Sequence, residues 1–417
     1  MSRLSAVSVA LATAALAVLS LGALSLSPAA PAARAAAPVM CQGEVATIVG
    51  TPGDDTLTGT TAPDVIAGLG GDDTIESGGG FDRICGGQGA DTISADPAST
   101  NYVFLDGGRG DDHLTSAVHF AHFDGGPGDD VESSSGKAPT YLSETGTNTF
   151  TSTADPASIH ASFQKASSGV KLDLVAGTAT FAGSSTTFAF APGTEWSVRG
   201  SRHDDRLKGS AGPDVLAGGG GNDLVEGRGG DDKVAGNGGR NTLRGGAGAD
   251  LLRFHTRDHV YGAPGTDVLT GRVGFGRQVL SGGRGTNALG VSFGPVGHRP
   301  RYRHALVDLA RGRVEVDGHV VRFSGSFIQV LAKWGAATWT LKGTGGPDVL
   351  ISVSGRPAVE RGRAGDDILI TAAGDDVLDG GPGTDEGDAG KAGKDTCISI
   401  EKPRFPPRRH TGCEIVH

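Results

Sequence analysis

The sequence predicts an all-β fold in which short repeat units stack into a β-solenoid. Three observations predict it. Glycine supplies 71 of the 417 residues, where average usage would give ~29. A nine-residue period returns in three separate runs, each unit ending in a short stretch with one aliphatic residue. No segment beyond the N-terminus spaces its apolar residues as a helix would. Aromatic residues make up only 5% of the chain, so a large conventional core is excluded.

Residues 1–36 read as a secretory signal: Arg3, an apolar stretch from Leu4 to Leu26, then the small-x-small site Ala33-Arg34-Ala35. The stretch is long enough to cross a membrane, but its serines and alanines and the processing-like flank point to cleavage, with no stable membrane insertion afterwards. Cys41 follows Pro38-Val39-Met40, which lacks the small residue that lipoprotein processing needs. The formal charge is −10, and −12 once Arg3 and Arg34 leave. So acidic a chain repels phosphate backbones and anionic lipid, so nucleic acid is excluded as a partner and cations are favoured.

The first repeat block, 37–133, holds five contiguous units from Gly50: GTPGDDTLT, GTTAPDVIA, GLGGDDTIE, SGGGFDRIC and GGQGADTIS. Their sixth residues are Asp55, Asp64, Asp73, Asp82 and Asp91, and their eighth are aliphatic. Isolated units follow at 107 and 125, with Asp112 and Asp130 in sixth place. The second block, 200–290, opens with six contiguous units whose sixth positions read Asp205, Asp214, Asp223, Asp232, Asn241 and Asp250, followed by Asp267 and Asn287 in weaker units. The third block, 343–398, places Asp348, Asp367, Asp376, Asp385 and Asp395 at that position, with SVSGRPAVE in place of an ion-binding unit at 352.

The unit explains what it binds. Glycines at the first and fourth positions permit left-handed or close-packed backbone, so six residues can form a tight turn with its carbonyls pointing inward. The sixth-position carboxylate closes that oxygen cage, and the last three residues are long enough for a short strand with one side chain turned inside. Such a unit must stack to bury its aliphatic residue. Oxygen-only ligands on a flexible turn suit calcium better than zinc, copper or the stricter octahedron of magnesium. One aliphatic side chain returns far less than ordering nine residues costs. The blocks are therefore expected to fold as they bind several calcium ions.

These units resemble the hemolysin-type calcium-binding repeats of RTX proteins. The resemblance implies a right-handed parallel β-roll with two nonapeptides per turn, each ion held between successive turns by sixth-position aspartates and turn carbonyls. It implies that Asp55 pairs with Asp73, Asp64 with Asp82, Asp73 with Asp91, Asp205 with Asp223 and Asp214 with Asp232. Asn241 and Asn287 depart from the pattern and should weaken their sites.

Two β-rich spacers, 134–199 and 291–342, interrupt the period and resemble each other: GVKLDLVAGTATFAG, TFAF and EWSVRG match ALVDLARGRVEVDG, VVRF and ATWTLKG in order. Trp196, Trp334 and Trp339 stand at spacer ends, where they are expected to cap a stack. Residues 399–417 form a tail closed by a disulfide. The four cysteines allow three pairings, and their positions at block edges favour Cys41–Cys85 and Cys397–Cys413.

Other motifs have bland explanations. Gly290-Val291-Ser292-Phe293-Gly294 has the form of a hydrolase nucleophile elbow, but Pro295, Gly297 and Pro300 follow where a helix should start. Arg109-Gly110-Asp111 lies inside a repeat whose glycine and aspartate the turn already requires. His119 with His122, and His255 with His259, lack a helix and a nearby glutamate. Adjacent pairs such as Asp54/Asp55 recur at the repeat period, which an acid–base pair has no reason to do. The expectation is a non-enzymatic, secreted calcium-binding protein with a structural or interaction role outside the cell, where an extracellular glycan or protein is the partner class it would meet. A repeat-containing polysaccharide epimerase, lyase or hydrolase and an adhesin using the spacers are the alternatives.

Overall fold

The computed structural model describes residues 37–403 and 413–416, apart from 96–101, 143–144, 156, 275–277, 294–301, 334–335 and 391–392. The expected signal and Trp334 lie outside the described residues. Among them every regular element is a strand, and none is a helix long and apolar enough to cross a membrane.

Each repeat turn passes the chain between two parallel sheets. Ile48–Val49 pairs with Val65–Ala67, which pairs with Asp82–Gln88, one strand per 18 residues, and this first sheet continues in chain order to Lys402–Pro403. Thr56–Thr58, Thr74–Glu76 and Thr92–Ala95 open the second sheet in the same way. Two nine-residue units thus make one turn, and the fold is a parallel β-roll. The three-residue strands leave room for one inward side chain, so the core is a pair of ladders: Ile66 over Ile84 from one sheet, Ile75 over Ile93 from the other, all at most 1% exposed.

The spacers belong to the same two sheets. Ser158–Ser162 pairs with Glu195–Arg199 in the first sheet, which then pairs with Asp214–Gly219 of the second block. In the second sheet three strands replace one. Ser184–Ala189 runs parallel to Thr147–Ser152, then antiparallel to Thr178–Phe181, which pairs antiparallel with Lys171–Asp173, itself parallel to Arg206–Lys208. The second spacer repeats this meander with His319–Ser324, Arg313–Val316 and Tyr302–Asp308.

Two extra strands at ~4.8 Å each widen one sheet relative to the other, and the added interior needs larger side chains. Tyr141, Phe150, Phe163, Phe181, Phe188 and Trp196 fill it, with Phe188 edge-on to Trp196 at 5.4 Å and to Tyr141 at 5.3 Å. Phe293 stacked on Trp339 at 5.3 Å does the same in the second spacer. Trp196 and Trp339 therefore do not cap stacks, as the sequence led us to expect. Trp196 and Trp339 are each 1% exposed inside a continuous roll, because the meander makes space there that aliphatic residues cannot fill.

Cys41, in a hairpin of Met40–Cys41 and Glu44–Val45, is bonded to Cys85. Cys397 is disulfide-bonded as well, and the side chain of its expected partner Cys413 lies outside the described residues.

Candidate metal centre

The turns that join the sheets lie in rows, and the sixth-position residues of a row form a hydrogen-bonded chain. One carboxylate oxygen, Oδ1, accepts the backbone N–H of the sixth residue one turn earlier. In the first block Asp55 donates to Asp73 (2.8 Å), Asp73 to Asp91 (2.8 Å), Asp91 to Asp112 (2.8 Å), Asp112 to Asp130 (3.0 Å) and Asp130 to Asn148 (3.0 Å). Asp64 donates to Asp82 in the other row (3.0 Å). The second block holds Asp205 to Asp223, then Asn241 and Asp258, beside Asp214 to Asp232, Asp250, Asp267 and Asn287. In the third, Asp348 donates to Asp367, Asp367 to Asp385 and Asp385 to Glu401, while Ala358 donates to Asp376 and Asp376 to Asp395.

The second oxygen separates these residues into two groups. In Asp73, Asp82, Asp91, Asp112, Asp223, Asp232, Asp250, Asp267, Asp367, Asp376, Asp385 and Asp395 it is buried and has no hydrogen-bond partner. A buried acceptor left in this state is costly. Beside most of them is a glycine with no room for a side chain: a Cβ on Gly68 would collide with Asp73 Oδ2 and with the Gly86 carbonyl of the next turn. Gly86, Gly107, Gly227, Gly362 and Gly380 repeat the arrangement with Asp91, Asp112, Asp232, Asp367 and Asp385. Carboxylate and carbonyl oxygens thus converge on a cradle that only glycine leaves open.

At the head of every row but the one that Ala358 opens, the same oxygen is occupied. Thr51 donates its amide (2.5 Å) and hydroxyl (3.0 Å) to Asp55 Oδ2, and Thr60 does so to Asp64 (2.6 and 2.8 Å). Thr344 caps Asp348 in the same way (2.5 and 3.0 Å). The amides of Ser201 and Ser210 reach Oδ2 of Asp205 and Asp214 (2.7 and 2.6 Å), and their hydroxyls take the other oxygens. The cap is the residue at the second position. Inner units hold that position at positive φ, as in Leu69 (83°), Gly87 (124°), Arg228 (81°) and Arg363 (84°), so glycine is common there, whereas the capping threonines and serines have ordinary backbone.

The fifth-position residues make a second chain that runs the other way. Asp54 Oδ1 accepts from Asp72 N (2.8 Å), Asp72 Oδ1 from Ala90 N (2.8 Å), and Asp231 Oδ1 from Ala249 N (2.7 Å). The adjacent aspartates are therefore divided between two structural ladders.

Burial raises several inner sixth-position carboxyls above their ordinary range, although the donated amide draws them partly back. Asp82, Asp91, Asp267 and Asp367 are pushed up to about 6, and Asp112, Asp223 and Asp232 to about 7. Among the described residues no three His, Cys, Asp or Glu side chains gather to hold a metal. An ion in these cradles must therefore take backbone carbonyls for much of its shell, which suits calcium and its many oxygen ligands.

Sequence reasoning missed Asp258, Asn148 and Glu401. Asp258 stands 17 residues after Asn241 and follows no glycine turn, yet it completes the row, its Oδ2 taken by His255 N (2.6 Å). Ser292 ends the strand Asn287–Ser292, and its hydroxyl bonds the Gly271 carbonyl (3.1 Å).

Comparison with known proteins agrees with this geometry. The family model for the RTX calcium-binding nonapeptide repeat (4 copies) matches residues 49–84, 58–93, 79–97, 199–234, 226–254 and 361–391. No curated protein matches the chain. Period, stacked turns and family match together show that the chain carries several RTX calcium-binding nonapeptide repeats folded as a β-roll, and so is a calcium-binding repeat protein.

Proposed function

We propose that this is an exported, non-enzymatic protein that takes up a series of calcium ions on leaving the cell and completes its folding as it does so. The observation that carries the reading is the buried, partnerless Oδ2 repeated from turn to turn beside a glycine cradle. In it the cradle ions sit with Asp73, Asp82, Asp91, Asp112, Asp223, Asp232, Asp250, Asp267, Asp367, Asp385 and Asp395, while Asp130 and Asp376 lie beside the buried Glu132 and Glu360. Asp55, Asp64, Asp205, Asp214 and Asp348, which the sequence also nominated as ligands, serve instead as capped row heads, because a threonine or serine already satisfies the oxygen an ion would need.

Far-ultraviolet circular dichroism during a calcium titration, with magnesium as control, tests this. A coil-to-β transition that calcium drives and that Asp73→Ala/Asp223→Ala weakens is the expected result. A β-rich spectrum indifferent to calcium and chelator sinks folding on binding.

A second reading, an adhesin, is favoured by one feature. Phe81 and Tyr102, each 38% exposed, form with Phe104, Phe120 and His122 an aromatic strip on the outer face of the first sheet, with Tyr102 stacked on Phe120 at 5.2 Å. Glycan-array binding abolished by Tyr102→Ala would support it.

A further inference from the structure

The inward ladder is apolar at most turns, and in the third block Glu360 breaks it. This glutamate lies in Ala358–Arg361 between Leu341 of the previous turn and Leu378 of the next, and it is fully buried. The apolar residues from Ile66 to Ala358 form one contiguous cluster, and those from Leu369 onward form a separate one. Neither carboxylate oxygen of Glu360 has a hydrogen-bond partner of ordinary geometry, although the nearby backbone of Ile370 and Ser352 draws the carboxyl partly back.

Two more buried oxygens accompany it. Asp376 Oδ1 accepts from Ala358 N at 2.8 Å, while its Oδ2 is buried and unpaired. Thr371, 4% exposed, turns its buried hydroxyl toward the Asp376 carboxylate and draws that carboxyl partly back. Burial raises the Glu360 carboxyl well above its usual range, and the Asp376 charge raises it further. This cluster differs from the repeat cradles in two ways. Thr371 occupies the first position where those units have glycine, and Ala358 stands where they have aspartate. Two carboxylates facing one another in an apolar interior are unstable unless a proton or a cation joins them.

We propose that Glu360, Asp376 and Thr371 form a separate divalent-cation site, built from side-chain oxygens instead of glycine-turn carbonyls. Its hard, all-oxygen donor set points to calcium, and in that choice of ion the proposal rests on the calcium reading above. Glu132 repeats the device in the first block: 1% exposed, at the eighth position, with both oxygens unpartnered, beside Asp130 and the amide of Gly125. There the next turn supplies Asn148 in place of an aspartate.

The test counts bound calcium by metal analysis after equilibrium dialysis of the full chain, for the wild type, Glu360→Gln, Thr371→Val and Asp73→Asn. Glu360→Gln keeps the shape of the side chain and is expected to bind one ion fewer per chain, with an unchanged circular dichroism spectrum in calcium. Thr371→Val should keep the ion with about tenfold weaker affinity, the ~1.4 kcal/mol of one neutral ligand. An unchanged count and affinity in Glu360→Gln overturns the site. Infrared spectroscopy of the wild type covers a variant that fails to fold: a buried-acid carbonyl band that persists at calcium saturation, and that a Glu132→Gln variant retains, shows Glu360 to be a neutral acid and overturns it too. A wild type that binds no calcium sinks the general reading instead, recognisable because Asp73→Asn then also changes nothing.

Discussion

Arg228 grips Asp173 across 55 residues, its two guanidinium nitrogens 2.8 and 2.7 Å from the two carboxylate oxygens, and Nη1 also donates to the Gly209 carbonyl at 2.8 Å. Arg363 stands in the same relation to Asp308 (3.1 Å) and to the Gly343 carbonyl (2.7 Å), again 55 residues apart. Asp173 and Asp308 each end the first strand of a spacer meander. Each arginine occupies the second position of a repeat turn at positive φ. One clamp, present twice, thus ties each widened spacer to the repeat block that follows.

A planar fork that serves a carboxylate and a carbonyl together cannot be copied by an ammonium. Arg228→Lys is expected to lower stability by about 1 kcal/mol, the modest value appropriate to a pair nearly a third exposed. Thermal melts in calcium at low and high salt check it. A lysine variant as stable as the wild type in both would remove the clamp's energetic role.

The row-head caps predict a dissociation between stability and ion count. Thr60→Val removes a hydroxyl donor to Asp64 and should cost about 1 kcal/mol, leaving the number of bound calcium ions unchanged. Asp82→Asn, one turn on in the same row, should reduce the ion count. Equal losses of calcium in the two variants would mean that the head of the row binds an ion after all.

Because burial raises the inner carboxyls, the calcium-free fold retains protons that the unfolded chain has lost once the pH exceeds the ordinary Asp value of about 3.9. Its stability therefore falls as pH rises from about 4 to about 7, the folded-state values being about 6 to 7. Calcium affinity runs in the opposite direction and weakens as pH drops through that same window. Asp173, held below its usual range by Arg228, adds a smaller contribution of the other sign, lost under acid conditions. The β content in chelator at pH 5 and pH 8, read by circular dichroism and expected to be higher at pH 5, with proton release measured during calcium titration at pH 6, tests the sign. Calcium uptake without proton release at pH 6 would contradict it.

The widened spacer core should be sensitive to truncation. Phe188, 4% exposed, touches Tyr141, Phe150 and Trp196, so Phe188→Ala is expected to cost roughly 3–5 kcal/mol. Denaturant unfolding in saturating calcium measures it. A loss below about 1 kcal/mol would mean that the meander can collapse onto the cavity.

By itself the sequence determined the period, the turn, the strand and the aliphatic ladder, because two nine-residue units return each sixth residue to the same place after 18 positions. The resemblance to RTX repeats implied the stacking of Asp55, Asp73 and Asp91, which the structure shows, and the position of Cys41 and Cys85 at the edges of the first block favoured the disulfide that they form. The second-position threonines and serines were equally visible, but their meaning was not. Whether Asp64 or Asp82 keeps a free oxygen depends on the backbone at the second position, which Thr60 and Gly78 (φ 77°) adopt differently within the stack. The tertiary structure also decided the place of the spacers, since only pairing with neighbouring turns reveals that Lys171–Asp173 and Ser184–Ala189 share one sheet and open room for Trp196. Asp258 and Glu360 needed the same information. Nine-residue spacing marks neither, and each takes its role from the turns above and below it, which the chain reaches only by coiling.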